Sequence, residues 1–121
     1  MRLARAILFT KDFQGMLAFY RDLLGLTVVG RQESPGWVEL DAGGTRLALH
    51  AIPDEIARRI TLESPARARE ETPIKLVFVV SDVGAERARL ISLGVRMSEV
   101  RAWGGCDGVD PEGNVFQIAS A

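Results

Sequence analysis

The chain has 121 residues, 47% of them apolar and 26% charged, with 15 Lys and Arg against 16 Asp and Glu. That balance is what one ordinary globular domain requires and excludes disordered or low-complexity chains. The charge is spread evenly, +1 over residues 1–52, −1 over 53–73 and −1 over 74–121, so no basic face is available for nucleic acid.

No apolar run approaches the roughly 18 residues of a membrane span, and the N-terminal segment lacks a signal-peptide layout. The only cysteine, Cys106, can form neither an internal disulfide nor a multi-cysteine zinc site. The expected location is the cytoplasm, with no membrane partner.

Taken in chain order, Arg5 to Thr10 predicts a strand and Asp12 a helix N-cap. Phe13, Met16, Leu17, Tyr20, Leu23 and Leu24 then recur at helical spacing until Gly25 supplies a left-handed stop. Leu26 to Val29 and Gly36 to Leu40 predict strands, Asp41 to Gly44 a tight turn, and Thr45 to His50 an alternating strand. Pro53 to Pro73 is charged, with proline at both ends and in the middle. It predicts an exposed connector with one helical turn over Glu55 to Arg59.

The second half repeats the first. Ile74 to Val80 predicts a strand, Asp82 a cap, and Val83 to Leu93 a helix with Val83, Ala88 and Ile91 inward and Gly94 as its stop. Val95 to Val100 and Asn114 to Ala119 predict further strands, and the glycine-rich GGCDG around Cys106 a loop. An offset of 69 or 70 residues pairs Asp12 with Asp82, Gly25 with Gly94, Asp41 with Asp110 and Gly44 with Gly113. Such self-similarity means two copies of one supersecondary unit, neither able to close a core alone. The expected organisation is module one over residues 1–52, a linker over 53–73 and module two over 74–121.

With Phe19-Tyr20 followed by Leu24-Gly25-Leu26 early and Asp110-Pro111-Glu112-Gly113-Asn114 late, this order resembles the vicinal oxygen chelate superfamily. That superfamily includes glyoxalase I, extradiol dioxygenases and bleomycin-resistance proteins. The resemblance implies an α+β fold: two tandem βαβββ modules forming a cupped mixed sheet with helices outside, usually in a homodimer. It also implies a divalent metal held from the first and last strands of each module. Carried over, those metal positions fall on Arg5, Ala48, Lys75 and Gln117. Protonated Arg and Lys have no lone pair to give, Ala has no donor, and only the Gln117 amide oxygen can coordinate. No metal is therefore expected at these positions, and a substitute site from Glu39 and His50 has too few ligands.

Other candidates follow from strand alternation. His50, the single histidine, shares a side with Ala48 and Arg46; histidine titrates near neutral pH and serves as base or hydrogen-bond partner. It can equally be an inert strand-end residue. Trp37 and Trp103, each beside glycine, offer flat apolar walls for a ligand, or ordinary packing. Ile7, Phe9, Val77 and Val79 share the alternation that carries Arg5 and Lys75. Cys106 is expected to be a small hydrophobe rather than a nucleophile.

Three functions are in view. The first is a metal-free binding protein of the bleomycin-resistance type, holding a small organic ligand with Trp37, Glu39, Trp103, His50, Gln117, Arg5 and Lys75. The second is a metal-dependent lyase, isomerase or dioxygenase. A third is a metal-free enzyme using His50 as base, with Arg5, Lys75 or Arg46 holding an anionic substrate.

Overall fold

The structure, a computed structural model, describes residues 1–30 and 34–121. The chain divides into two compact units, Met1–Leu62 and Glu63–Ala121, and each repeats one plan. No helix is long and apolar enough to cross a membrane among the described residues.

Unit one contains β1 (Arg5–Thr10), α1 (Phe13–Ala18) running into a π-helical turn (Phe19–Leu23), β2 (Thr27–Val28), β3 (Trp37–Asp41), β4 (Arg46–Ala51) and the short α2 (Asp54–Ala57). Its sheet has the order β1-β4-β3-β2, with β1 parallel to β4 and the other pairs antiparallel. The Asp12 side chain caps α1 by accepting from the Gly15 amide at 3.0 Å. The helix ends as the glycine predicted. Gly25 takes φ 79°, and the Leu26 amide reaches back to the Tyr20 carbonyl at 3.0 Å. Phe13, Met16, Leu17, Phe19 and Tyr20 are buried, as are Val38, Leu40, Leu47 and Leu49 from the sheet. The helix therefore covers one sheet face, and the core of the unit lies between them.

Unit two contains β5 (Leu76–Val79), α3 (Val83–Ser92), β6 (Arg96–Met97), β7 (Cys106–Val109) and β8 (Val115–Ala119), in the order β5-β8-β7-β6. Asp82 caps α3 through the Ala85 amide at 2.9 Å, as Asp12 caps α1. Gly94 stops the helix at φ 88°. Both units are βαβββ modules, and the fold is α+β as expected.

Two local expectations are corrected. The inner stripe of α3 is Val83, Arg87 and Leu90, whereas Ala88 and Ile91 are exposed. A charged residue occupies the stripe because the Arg87 guanidinium donates from Nε to the Ser98 carbonyl at 2.7 Å, leaving its stem to pack. The GGCDG segment is loop at Gly104 and Gly105 alone: Cys106–Val109 is strand β7, paired with both β6 and β8. Gly105 and Gly108 make room rather than motion, since a side chain at Gly108 would run into the Phe116 ring and the Met97 sulfur, and one at Gly105 into the Trp103 ring. Most of the 53–73 segment is exposed, with a helical turn at Asp54–Ala57, and two contacts hold it. Lys11 Nζ donates to the Ile60 carbonyl, and Arg69 bridges in parallel to Asn114, its amide donating to the Gly113 carbonyl at 2.7 Å.

Candidate functional site

Because α1 covers only one face of the unit-one sheet, alternation leaves the other face open. Register sorts its side chains into three rows across β1, β4 and β3. The first row is Arg5, Arg46 and Asp41, the middle row Ile7, Ala48 and Glu39, and the third Phe9, His50 and Trp37.

The third row is aromatic throughout. The His50 ring lies 5.3 Å from that of Phe9 and 5.2 Å, edge to face, from that of Trp37. Phe9 is 62% exposed, and Trp37 is half-buried. Among the described residues no hydrogen bond or ion pair holds the His50 side chain. A general base is normally oriented by a third group, and His50 has none, whereas its two flat neighbours make it part of a wall.

In the middle row Glu39 is mostly buried, its side chain 15% exposed. Arg5 approaches one carboxylate oxygen through Nε at 2.8 Å, and Arg46 the other through Nη1 at 2.7 Å. Both guanidinium groups lie beside a groove of about 580 Å³, which Arg2, Leu3, Asp41 and Thr45 also line.

Unit two repeats this arrangement in weaker form. Lys75, Val77 and Val79 follow the alternation of Arg5, Ile7 and Phe9, and Val77, Gln117 and Asp107 form a row like that of Ile7, Ala48 and Glu39. Asp107 accepts from Gln117 Nε2 at 2.9 Å and faces Lys75 at 4.0 Å and Arg101 at 3.6 Å. A groove of about 440 Å³ adjoins Lys75, Arg96, Ser98 and Arg101.

The sequence candidates therefore separate. Trp37, Glu39, His50 and Arg5 meet on one face with Arg46 and Ala48, and Lys75 and Gln117 meet in the other unit. Trp103 stands on the β6–β7 loop, 54% exposed, its ring over Gly105. Asp107 and Arg101 escaped sequence reasoning because their link to Gln117 and Lys75 depends on β7. Alternation from Val109 back to Asp107 was the signal that could have found them.

The metal set that the resemblance implies does not fit these residues. Arg5 and Lys75 bring positive charge to two of the four positions, Ala48 has no donor atom, and Gln117, whose Nε2 donates to Asp107, offers one neutral amide oxygen. The nearest carboxylates, Glu39 and Asp107, already face cations. Among the described residues, no three His, Cys, Asp or Glu side chains gather as a metal site would require.

Cys106 is completely buried in β7. Burial pushes its thiol pKa up, opposed by the nearby Arg87 charge and reinforced by Asp107. The native state thus holds the proton to higher pH than the unfolded chain does. This contribution to stability is intact below the unfolded-state thiol value and declines as pH rises above it. Iodoacetamide at pH 7 to 8 is expected to label Cys106 only upon unfolding in urea; rapid labelling of the native protein would contradict this burial.

The chain matches the model of a glyoxalase-like domain over residues 5–119. No curated protein matches it. Among solved structures, the trypanothione-dependent glyoxalase I of Leishmania major is 19% identical, with a TM-score of 0.76 over 99% of this chain and 86% of that one. An antibiotic-binding protein from Streptomyces is 19% identical, with a TM-score of 0.69 over 99% and 95%. A lactoylglutathione lyase from Agrobacterium tumefaciens is 22% identical, with a TM-score of 0.67 over 99% and 93%. At these identities the likeness is one of fold, and a fold of this kind hosts unrelated chemistries.

Proposed function

Because the chain belongs to the glyoxalase-like domain family, we propose that it is a binding protein for a small organic ligand, held on the open face of the unit-one sheet without the family's divalent metal. The observation that carries this reading is the row of Phe9, His50 and Trp37, three flat side chains on adjacent strands with their rings about 5 Å apart. Exposed aromatic area on an otherwise packed sheet is what a flat apolar ligand displaces water from. The cations in place of metal ligands support the metal-free part. That a Streptomyces relative of the same fold binds an antibiotic is consistent with a binding role.

In this reading His50 contributes a wall rather than a proton, and Lys75, Gln117 and Trp103 belong to a second, weaker surface in unit two. A homodimer is part of the proposal, supported by Val77 and Val79, which stand exposed in unit two.

Two flat probes, 2-naphthoate and 2-naphthylmethanol, test the reading by calorimetry with and without EDTA. The expected result is saturable binding of at least one probe, unaffected by EDTA, with the probe recovered unchanged. Binding of neither, loss of affinity in EDTA, or consumption of the probe would contradict it.

A further inference from the structure

Two guanidinium groups on the open face of unit one share a single carboxylate. Glu39 divides its two oxygens between Arg5 and Arg46, so one negative charge orients two positive ones. A guanidinium carries five N–H donors in a rigid fork, and one carboxylate cannot saturate two of them. Both side chains keep two-fifths or more of their surface, 41% for Arg5 and 49% for Arg46. The remaining acid of the first row, Asp41, turns Oδ1 to the Gly43 amide at 2.8 Å, which braces the β3–β4 turn. With Arg2 on the same groove as Arg5, Arg46 and Asp41, and Glu39 beside the two arginines, the described residues set three cations against two acids, a local excess of one positive charge.

Position along the strands adds the second element. Arg5 and Arg46 start in the first row but reach forward to Glu39 in the middle row, about 6–7 Å along the strands. The middle row, where both arginines meet Glu39, is in turn about 6–7 Å along the strands from the aromatic row. A single small molecule can reach both. We infer that the ligand of this face is an organic carboxylate on a flat aromatic or conjugated body, its charge on Arg5 and Arg46 and its ring against Phe9, His50 and Trp37. This rests on the binding reading above and adds the chemical class. A monoanion matches the excess of one charge, and a planar carboxylate matches the guanidinium fork.

Glu39 then acts as an internal competitor that holds the arginines in place when the ligand is absent. That role has an unusual consequence. Neutralising Glu39 without changing its shape frees donors and raises the local charge, so anion binding strengthens, whereas a purely structural ion pair would give no gain.

The test uses the full chain and the same pair of probes, which share a naphthalene ring and differ in charge. Wild-type protein is expected to bind 2-naphthoate about ten-fold more tightly than 2-naphthylmethanol, the discrimination of one good charge-assisted contact. Glu39→Gln should raise this ratio several-fold, high salt should lower it, and Arg46→Gln should bring it close to unity. Equal affinity for the two probes in the wild type, or a Glu39→Gln ratio that is unchanged or reduced, would overturn the carboxylate assignment and leave the binding reading standing. Binding of neither probe would overturn both.

Discussion

Asp110→Ala is expected to lower the unfolding free energy by about 3 kcal/mol, because bonds to a buried charged acceptor are worth about 1.5–3 kcal/mol each and do not add fully. Asp110 is 1% exposed. One of its oxygens accepts from the Glu112 and Asn114 amides, both at 2.9 Å, and the other from Asn114 Nδ2 at 2.8 Å. The turn Asp110-Pro111-Glu112-Gly113-Asn114 leads directly into β8, the inner strand that pairs with both β5 and β7. Gly113 is required at its φ of 90°, where the Arg67 carbonyl also packs against the backbone. Removing the carboxylate therefore orphans buried donors at the entry to the strand on which unit two is assembled. Asp110→Asn keeps an oxygen for the two amides and turns an amide nitrogen toward Asn114, so a smaller loss of about 1–2 kcal/mol is expected. Urea unfolding measures both, as a shifted midpoint at unchanged slope. Wild-type stability in Asp110→Ala would show that this acid does not hold the turn.

Trp37→Ala is expected to weaken 2-naphthoate binding about thirty-fold, or about 2 kcal/mol, the usual cost of truncating a central aromatic contact. Trp37 stands on β3, an inner strand of the sheet, and braces His50 edge to face. Its loss removes one wall and releases the imidazole that forms the middle of the surface. Trp37→Phe keeps a flat face and should stay within about five-fold of wild type. Because Trp37 is half-buried, circular dichroism and the urea midpoint of each variant separate lost binding from lost fold. Calorimetry showing Trp37→Ala within about two-fold of wild type would remove the aromatic row from the site.

Much of the fold was legible because its signals are local. Asp12 with Gly25, and Asp82 with Gly94, start and stop helices by hydrogen bonds and backbone freedom within a few residues, and the repeat at 69 or 70 residues made each half a check on the other. Strand β7 was not legible, since Gly105 and Gly108 mark close approach by Trp103 and Phe116, and close approach looks the same as a flexible loop when partners are unknown. The α3 stripe was misjudged for a related reason: Arg87 belongs on it only because the Ser98 carbonyl is there to receive the guanidinium.

The candidate site was half legible. Alternation put Trp37 with Glu39, and Arg46 with His50, on common sides. It could not reveal that β1 runs parallel to β4 in the register that sets Phe9 beside His50 and brings Arg5 to Glu39, a residue 34 positions later. Register across strands is a tertiary property, and the rows exist only once it is known. The substitutions at the metal positions were visible from residue types alone. What the structure adds is that the carboxylates nearest those positions already face cations.

We propose organic ligand binding without metal on the unit-one face, where Arg5 and Ala48 stand in place of the metal ligands that the resemblance implies. Elemental analysis of protein purified without chelator tests it most directly. Zinc, nickel, manganese and iron are expected far below stoichiometric amounts, in samples that still bind naphthoate; stoichiometric metal whose removal by chelator abolishes binding would contradict the metal-free reading.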